Sequence, residues 1–189
     1  MIKFREQDFR LRPLRETDLD LVRGWRNADR VRLNMYRTHI IGEAEHRSWF
    51  ARLDGSVSDR AFVFEMQDRP VGFVSFTQIS AEHRRAFWAF YLGDAELPRG
   101  TGAVMECLAL DHGFLTLGLH KLSCEVIAFN AAVIKMHKRF GFAEEGIFRD
   151  EILRDGQYHD VHRLALMADD WRAGRMQHRA ALFQETVQV

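Results

Sequence analysis

Two stretches hold the residues best suited to chemistry. In "PRGTGA", Arg99, Gly100, Thr101, Gly102 and Ala103 follow an expected strand and open an expected helix. A helix start offers unpaired backbone N–H groups, and Gly100 and Gly102 would let a diphosphate approach them closely. The stretch is not a Walker loop, since no Lys-Ser/Thr follows, nor a Gly-x-Gly-x-x-Gly fingerprint, and two glycines before a helix also make a plain turn. In "EVIAFNAAVIKMHKRFGF", a β-branched strand breaks at Asn130 and a short helix follows. Val133, Met136, His137 and Phe140 share one face of that helix at i, i+3, i+4 and i+7. His137 is therefore either a proton donor at a site or a core histidine satisfied by a carbonyl.

Other reactive types carry less. Cys107 falls in an expected helix and Cys124 in an expected strand, in no Cys-x-x-Cys pair and with no recognisable His partner, so neither disulfide, zinc nor covalent catalysis is implied. The "HDVH" run near the C-terminus suggests a metal, but on a strand His159 points away from Asp160 and His162. No metal is expected.

These residues need elements to hold them. "FRLRPL" alternates as a strand, Thr17 and Asp20 form a weak capping box for a helix ending near Asn27, and a second helix puts His46, Trp49, Phe50 and Leu53 on one face. Three strands, "AFVFEM", "PVGFVSFTQ" and "AFWAFYL", form an expected antiparallel meander, with Pro70 at a strand start. A helix from about Val104 to Leu117, stopped by Gly118, leads to the strand "KLSCEVIAF". A strand, helix, strand order of this length predicts a parallel pair joined by a right-handed crossover. The helix Ala131 to Phe140 follows, then a hairpin turning at Asp155-Gly156, then a helical tail from Asp169 that Gly174 weakens.

The chain of 189 residues is read as one domain, 1–189, of soluble composition. Twenty-seven basic residues balance 27 acidic ones, so no net field favours nucleic acid or a membrane surface. The charged start lacks the apolar core of a signal peptide, and no stretch is apolar for long enough to span a membrane, so a cytoplasmic location is expected.

The cofactor half resembles the GNAT superfamily of N-acetyltransferases. Arg99 and Gly102 match a Gln/Arg-x-x-Gly-x-Gly/Ala loop, with Val104 in place of its last residue; Asn130, Gly141 and Phe142 match the distal motif. His137 stands where the family has a tyrosine. The resemblance implies an α+β GNAT fold in which acetyl-CoA lies between two splayed parallel strands, bound at Leu92, Arg99, Gly100, Thr101, Gly102, Ala103 and Asn130. It places His137 against the thioester sulfur as general acid. About a quarter of an unperturbed imidazole is protonated at pH 7, and it would donate downhill to a thiolate of pKa about 8.5.

"LRPLRETDLDLVRGWRN", "VRLNMYRTHIIGEAEHRSWF", "PVGFVSFTQI", "FYLG" and "YHDVHRLAL" are similar to the PseH group. This similarity implies acetylation of the 4-amino group of a UDP-4-amino-4,6-dideoxy-N-acetyl-altrosamine, in pseudaminic acid synthesis and flagellin or surface glycosylation. Tyr36, Trp49 and Phe50 offer flat faces, Met35 an apolar wall, Arg26 a partner for diphosphate, and Asn27 and His46 a polar rim. Phe87, Tyr91 and Glu125 are further implied acceptor contacts, and Ser75 a second catalytic position. For Trp49, Phe50 and His46 a structural helix face is the competing reading, and for Ser75 a solvent-facing strand position. Glu125 is an alternative proton acceptor. A peptide N-terminus as acceptor, or a non-catalytic acyl-CoA sensor, are the rival functions, and the assembly, a homodimer included, stays open.

Overall fold

The computed structural model describes residues 3–184, so the end of the expected tail lies outside the described residues. Seven strands form one mixed sheet: β1 (Phe9–Pro13), β2 (Arg60–Met66), β3 (Arg69–Ser80), β4 (Arg85–Leu92), β5 (Lys121–Ile127), β6 (Ala143–Arg154) and β7 (Gln157–Met167), in the order β1-β2-β3-β4-β5-β7-β6. Every neighbouring pair is antiparallel except β4 and β5. The helices are α1 (Leu19–Asn27), α2 (Asp29–Arg32), α3 (Glu43–Leu53), α4 (Thr101–Asp111), α5 (Ala131–Arg139) and α6 (Ala168–Leu182). This is the expected α+β arrangement, a meander followed by a crossover.

Local chemistry sets the boundaries. The β2–β3 turn has Gln67 and Asp68 both at positive φ, and the β6–β7 turn has Asp155 and Gly156 likewise, the geometry that matches strand twist in two-residue hairpins. Helix α4 begins at Thr101 rather than Val104, because Gly100 at φ +105 bends the chain into it. It ends at Asp111, and a wider turn over His112–Thr116 carries the chain to Gly118. The start of α1 is held differently from the expected box: Asp18, not Thr17, caps the turn, its carboxylate accepting the Arg15 N–H at 2.8 Å. Gly174 does not break α6, whose buried Trp171 donates to Asp111 at 3.1 Å while Arg175 and Arg179 pair with the same carboxylate.

The core lies between α4, α6 and one face of the sheet, around Phe64, Phe76, Met105, Leu110, Phe114, Leu122, Leu164 and Trp171. Helix α4 lies close against β3: a Cβ at Gly72 would sit 2.9 Å from Met105 Sδ. Among the described residues no helix is long and apolar enough to cross a membrane.

Candidate active site

The site begins where β4 and β5 part. Their parallel register runs only from Arg85↔Lys121 to Phe87↔Ser123. Beyond it, the edge of β4 from Trp88 to Leu92 and that of β5 from Cys124 to Ile127 no longer pair with each other. Backbone groups on such facing edges demand hydrogen-bond partners, so the gap suits an extended amide-bearing ligand. A cleft of about 420 Å³ fills it, lined by Leu92, Gly102, Cys124, Glu125, Asn130, Met136 and His137 among others.

The cleft continues on both sides. Through Gly102 and Met136 it meets an outer cavity of about 770 Å³ at the start of α4, where Arg99, Lys135 and Arg139 supply positive charge and, among the described residues, no carboxylate lines the wall. Added to the positive end of the α4 dipole, these groups fit a polyanion. Through Met35, Ala89 and Tyr91 the cleft meets a third cavity of about 510 Å³ under α1 and α3. Here four arginines, Arg26, Arg37, Arg52 and Arg60, face two carboxylates, Glu45 and Asp59. Both carboxylates are already engaged, Glu45 by His39 at 2.9 Å and Asp59 by the hydroxyls of Ser56 and Ser58. Arg26 donates through Nη2 to the Arg37 carbonyl at 2.7 Å, while its Nη1 is buried without a partner. Burial pushes the Arg26 guanidinium down from its ordinary value. An aromatic wall completes the pocket: Trp49 stacks on His46 with centroids 4.9 Å apart, and Tyr91 on Phe73 at 5.2 Å.

His137 sits behind the cleft, 2% exposed, in a ring of Trp88, Phe90 and Phe142. Its Nδ1 lies 2.7 Å from Oε1 of Glu106, a fully buried carboxylate on α4. Burial raises the Glu106 carboxyl from its ordinary value. On the imidazole, burial acts downward, but the carboxylate and the Cys124 thiol outweigh it and push His137 up to about 10. At 2.7 Å Nδ1 and Oε1 share a proton, and the nitrogen left for the cleft is Nε2. The expectation took an ordinary imidazole, one-quarter protonated at pH 7; beside Glu106 the ring is instead shifted upward.

Three connected cavities, a cationic one, a splayed strand pair and an aromatic one, resemble a transferase that takes a long anionic donor. A family model described as an acetyltransferase (GNAT) domain matches residues 8–143. The chain belongs to this family. The GNAT chain is 27% identical over 179 residues to the spermidine N(1)-acetyltransferase of Escherichia coli strain K12, covering 95% of this chain and 96% of that protein. Over 140 residues it is 30% identical to the ribosomal protein uS5 alanine N-acetyltransferase of the same strain, covering 67% and 70%. The crystal structure of spermidine N-acetyltransferase from Vibrio cholerae in complex with CoA and spermine superposes with a TM-score of 0.82 at 23% identity, covering 88% of this chain and 99% of that one. These comparisons establish an acetyl-CoA N-acetyltransferase. They support the family and not the PseH group, to which the sequence segments from Leu11 to Leu166 are similar.

In this GNAT chain the residues singled out in the sequence separate into two sets. Arg99, Gly100, Gly102 and Ala103 line the outer cavity, and Leu92, Glu125, Asn130 and His137 the cleft. Arg26, Met35, His46, Trp49, Ser75 and Tyr91 line the third cavity. Thr101 does not face the cavity: it is 1% exposed and its hydroxyl donates to the Pro98 carbonyl at 2.8 Å. Asn27 clasps the backbone of Ile41 at both its amide atoms instead of forming a polar rim. Tyr36 donates to Glu125 at 2.7 Å, Arg163 pairs with the same carboxylate at 2.8 Å, and the Arg163 guanidinium covers Phe87 at 4.0 Å. Tyr36 and Phe87 line none of the three cavities, and both oxygens of Glu125, at the cleft wall, are engaged. Phe50 is half-buried on α3 and lines none of the three cavities. In the "HDVH" run, His162 pairs with Glu144, Asp160 accepts the Asp150 N–H, and His159 packs edge-on against Phe129.

The sequence reading passed over Glu106 and the basic set Arg37, Arg52 and Arg60. Glu106 had a readable signal: it is the one charge between Gly102 and Leu110, in a helix apolar all round. The arginines had none, since they come from a loop, a helix and a strand that meet only in the fold.

Proposed function

We propose that the chain transfers the acetyl group of acetyl-CoA to a primary amine on an anionic acceptor that carries a flat ring. A nucleotide-linked 4-amino-4,6-dideoxy sugar, the acceptor implied by the sequence resemblance, is our choice within that class. The observation that carries this reading is the arginine-lined third cavity, which opens onto the cleft at Met35, Ala89 and Tyr91. Spermidine, a polycation at neutral pH, would enter this pocket against four guanidinium groups with both carboxylates already engaged. Like charges oppose binding here, most strongly at the half-buried Arg26 and less at the exposed Arg37, Arg52 and Arg60, where water screens them. A diphosphate answers the same groups, and Trp49 and Tyr91 offer faces for a base or sugar ring.

Acetyl-CoA would lie with its phosphates near Arg99, Lys135 and Arg139 and its pantetheine arm along the free edges of β4 and β5. The neutral amine attacks the thioester carbonyl from the third cavity. The new N–C bond forms, the C–S bond breaks, the amine's surplus proton leaves to water, and Nε2 of His137 protonates the departing sulfur. Ser75, on the cavity wall with Oγ 3.5 Å from the Ala89 carbonyl, orients the amine or passes on its proton.

The test is release of coenzyme A from acetyl-CoA with a UDP-4-amino-4,6-dideoxy sugar, spermidine and peptide N-termini in parallel, with products identified by mass. A single acetyl group added to the sugar amine, with the highest kcat/KM of the set, is the expected outcome. Preference for spermidine or a peptide, or binding of acetyl-CoA without transfer to any amine, would overturn the reading.

A further inference from the structure

We infer that Glu106 is a positioning residue for the acid step: its buried carboxylate fixes the His137 ring and keeps a proton on the imidazole, so that the two together stand in for the family's tyrosine hydroxyl. This rests on the reading of His137 as general acid. The geometry is specific. Glu106 is 0% exposed and His137 2%, on α4 and α5; among the described residues Oε1 of Glu106 is bonded to Nδ1 of His137 at 2.7 Å and its Oε2 is buried without a partner. An isolated carboxylate in an apolar helix costs several kcal/mol to bury, a cost a structural role alone would have removed by placing a leucine there. The groups that face the ring are Glu106 from α4, the Cys124 thiol from β5, the aromatic rings of Trp88 and Phe90 from β4, and Phe142. Of these only Glu106 brings a charge.

The chemistry explains why a histidine at this place needs such a partner. A phenol of pKa about 10 is protonated at every physiological pH, whereas a buried imidazole left alone would fall below its usual 6.5 and lose its proton. With Glu106 at Nδ1, the imidazole is lifted to about 10 and Nε2–H remains to be given to the thiolate. The bond broken is Nε2–H and the bond formed is S–H; solvent then returns a proton to the ring.

The test is a comparison of Glu106→Gln in two backgrounds. With His137 present, Glu106→Gln should lower kcat about 10- to 100-fold, leave KM for both substrates within about two-fold, and move the alkaline limb of the kcat profile to well below pH 8. With His137→Tyr, whose phenol holds its own proton, Glu106→Gln should cost less than about three-fold. The ring ¹⁵N shifts of His137, read at pH 7 by NMR, should show a protonated ring in the unaltered protein and a neutral one in Glu106→Gln, whatever the activity. A Glu106→Gln enzyme with unchanged kcat, limb and ring shifts would overturn the inference. If His137→Ala itself keeps full kcat, the acid reading falls first; if His137→Ala is slow and Glu106→Gln is not, only the role of Glu106 falls.

Discussion

At the scale of single residues, the two ends of the reaction separate cleanly. In the proposed mechanism His137 acts only once the carbon–sulfur bond is breaking, so His137→Ala should lower kcat about 10²- to 10⁴-fold with KM for acetyl-CoA nearly unchanged. Steady-state rates at saturating acceptor would show this. The same proposal assigns Arg26 to binding. Its Nη1 is buried without a partner at the wall of the third cavity, and a charge-assisted hydrogen bond there is worth about 1.5–3 kcal/mol. Arg26→Met should therefore raise the acceptor KM roughly 10- to 150-fold and spare that of acetyl-CoA. Equal KM values in both proteins would remove Arg26 from the acceptor site. The positions of His137 and Arg26 were readable because each sits in a local pattern, a helix face and a "WRN" segment. The engagement of Tyr36 by Glu125 was not, since those residues are 89 apart in sequence and meet only through the sheet.

At the scale of elements, the contact between α1 and the end of β4 shapes the acceptor side. A Cβ at Gly93 would lie 2.0 Å from the Trp25 indole, so the ring packs directly on the backbone just past Leu92. Gly93→Ala must displace Trp25, and overpacking of this kind costs about 1–3 kcal/mol. Because Arg26 follows Trp25, the shift should also raise the acceptor KM; urea unfolding and kinetics of the variant would report the two effects. The order of strands, the meander and the parallel crossover were legible in the sequence because period-2 and period-3.6 patterns are local. The start of α4 was misjudged by three residues because it depends on Gly100 adopting φ +105, which composition does not declare. The splay of β4 and β5 came only from the family resemblance, for nothing in either strand's pattern announces that pairing stops at Phe87 and Ser123.

At the scale of the whole molecule, a buried ion pair and a buried three-residue ion cluster set opposite pH limits. His137 is raised in the folded state, so its contribution to stability is complete below about pH 6.5 and fades as pH rises through about 10. The acid limit lies elsewhere. Arg12 on β1 bridges Asp18, before α1, at 2.6 Å and Glu65 on β2 at 2.6 Å, with side chains only 13%, 8% and 4% exposed. Burial pushes both carboxyls up, but the Arg12 guanidinium outweighs it and holds each below its ordinary range, with Arg15 N–H and Arg10 adding to the effect. Groups with depressed pKa values stabilise the fold above their unfolded values, near pH 4, and lose that contribution as pH falls through the folded ones. Melting temperature should therefore fall steeply below about pH 4. Arg12→Met leaves Asp18 without its ion-pair partner and Glu65 with Arg10 alone, and should cost about 3–5 kcal/mol at pH 7, while flattening the acid slope because the carboxyls no longer have the Arg12 charge holding them down. Since Arg12 ties β1 and β2 to the start of α1, a variant with unchanged stability at pH 7 and an unchanged acid slope would mean that the acceptor-side helices are held by packing alone.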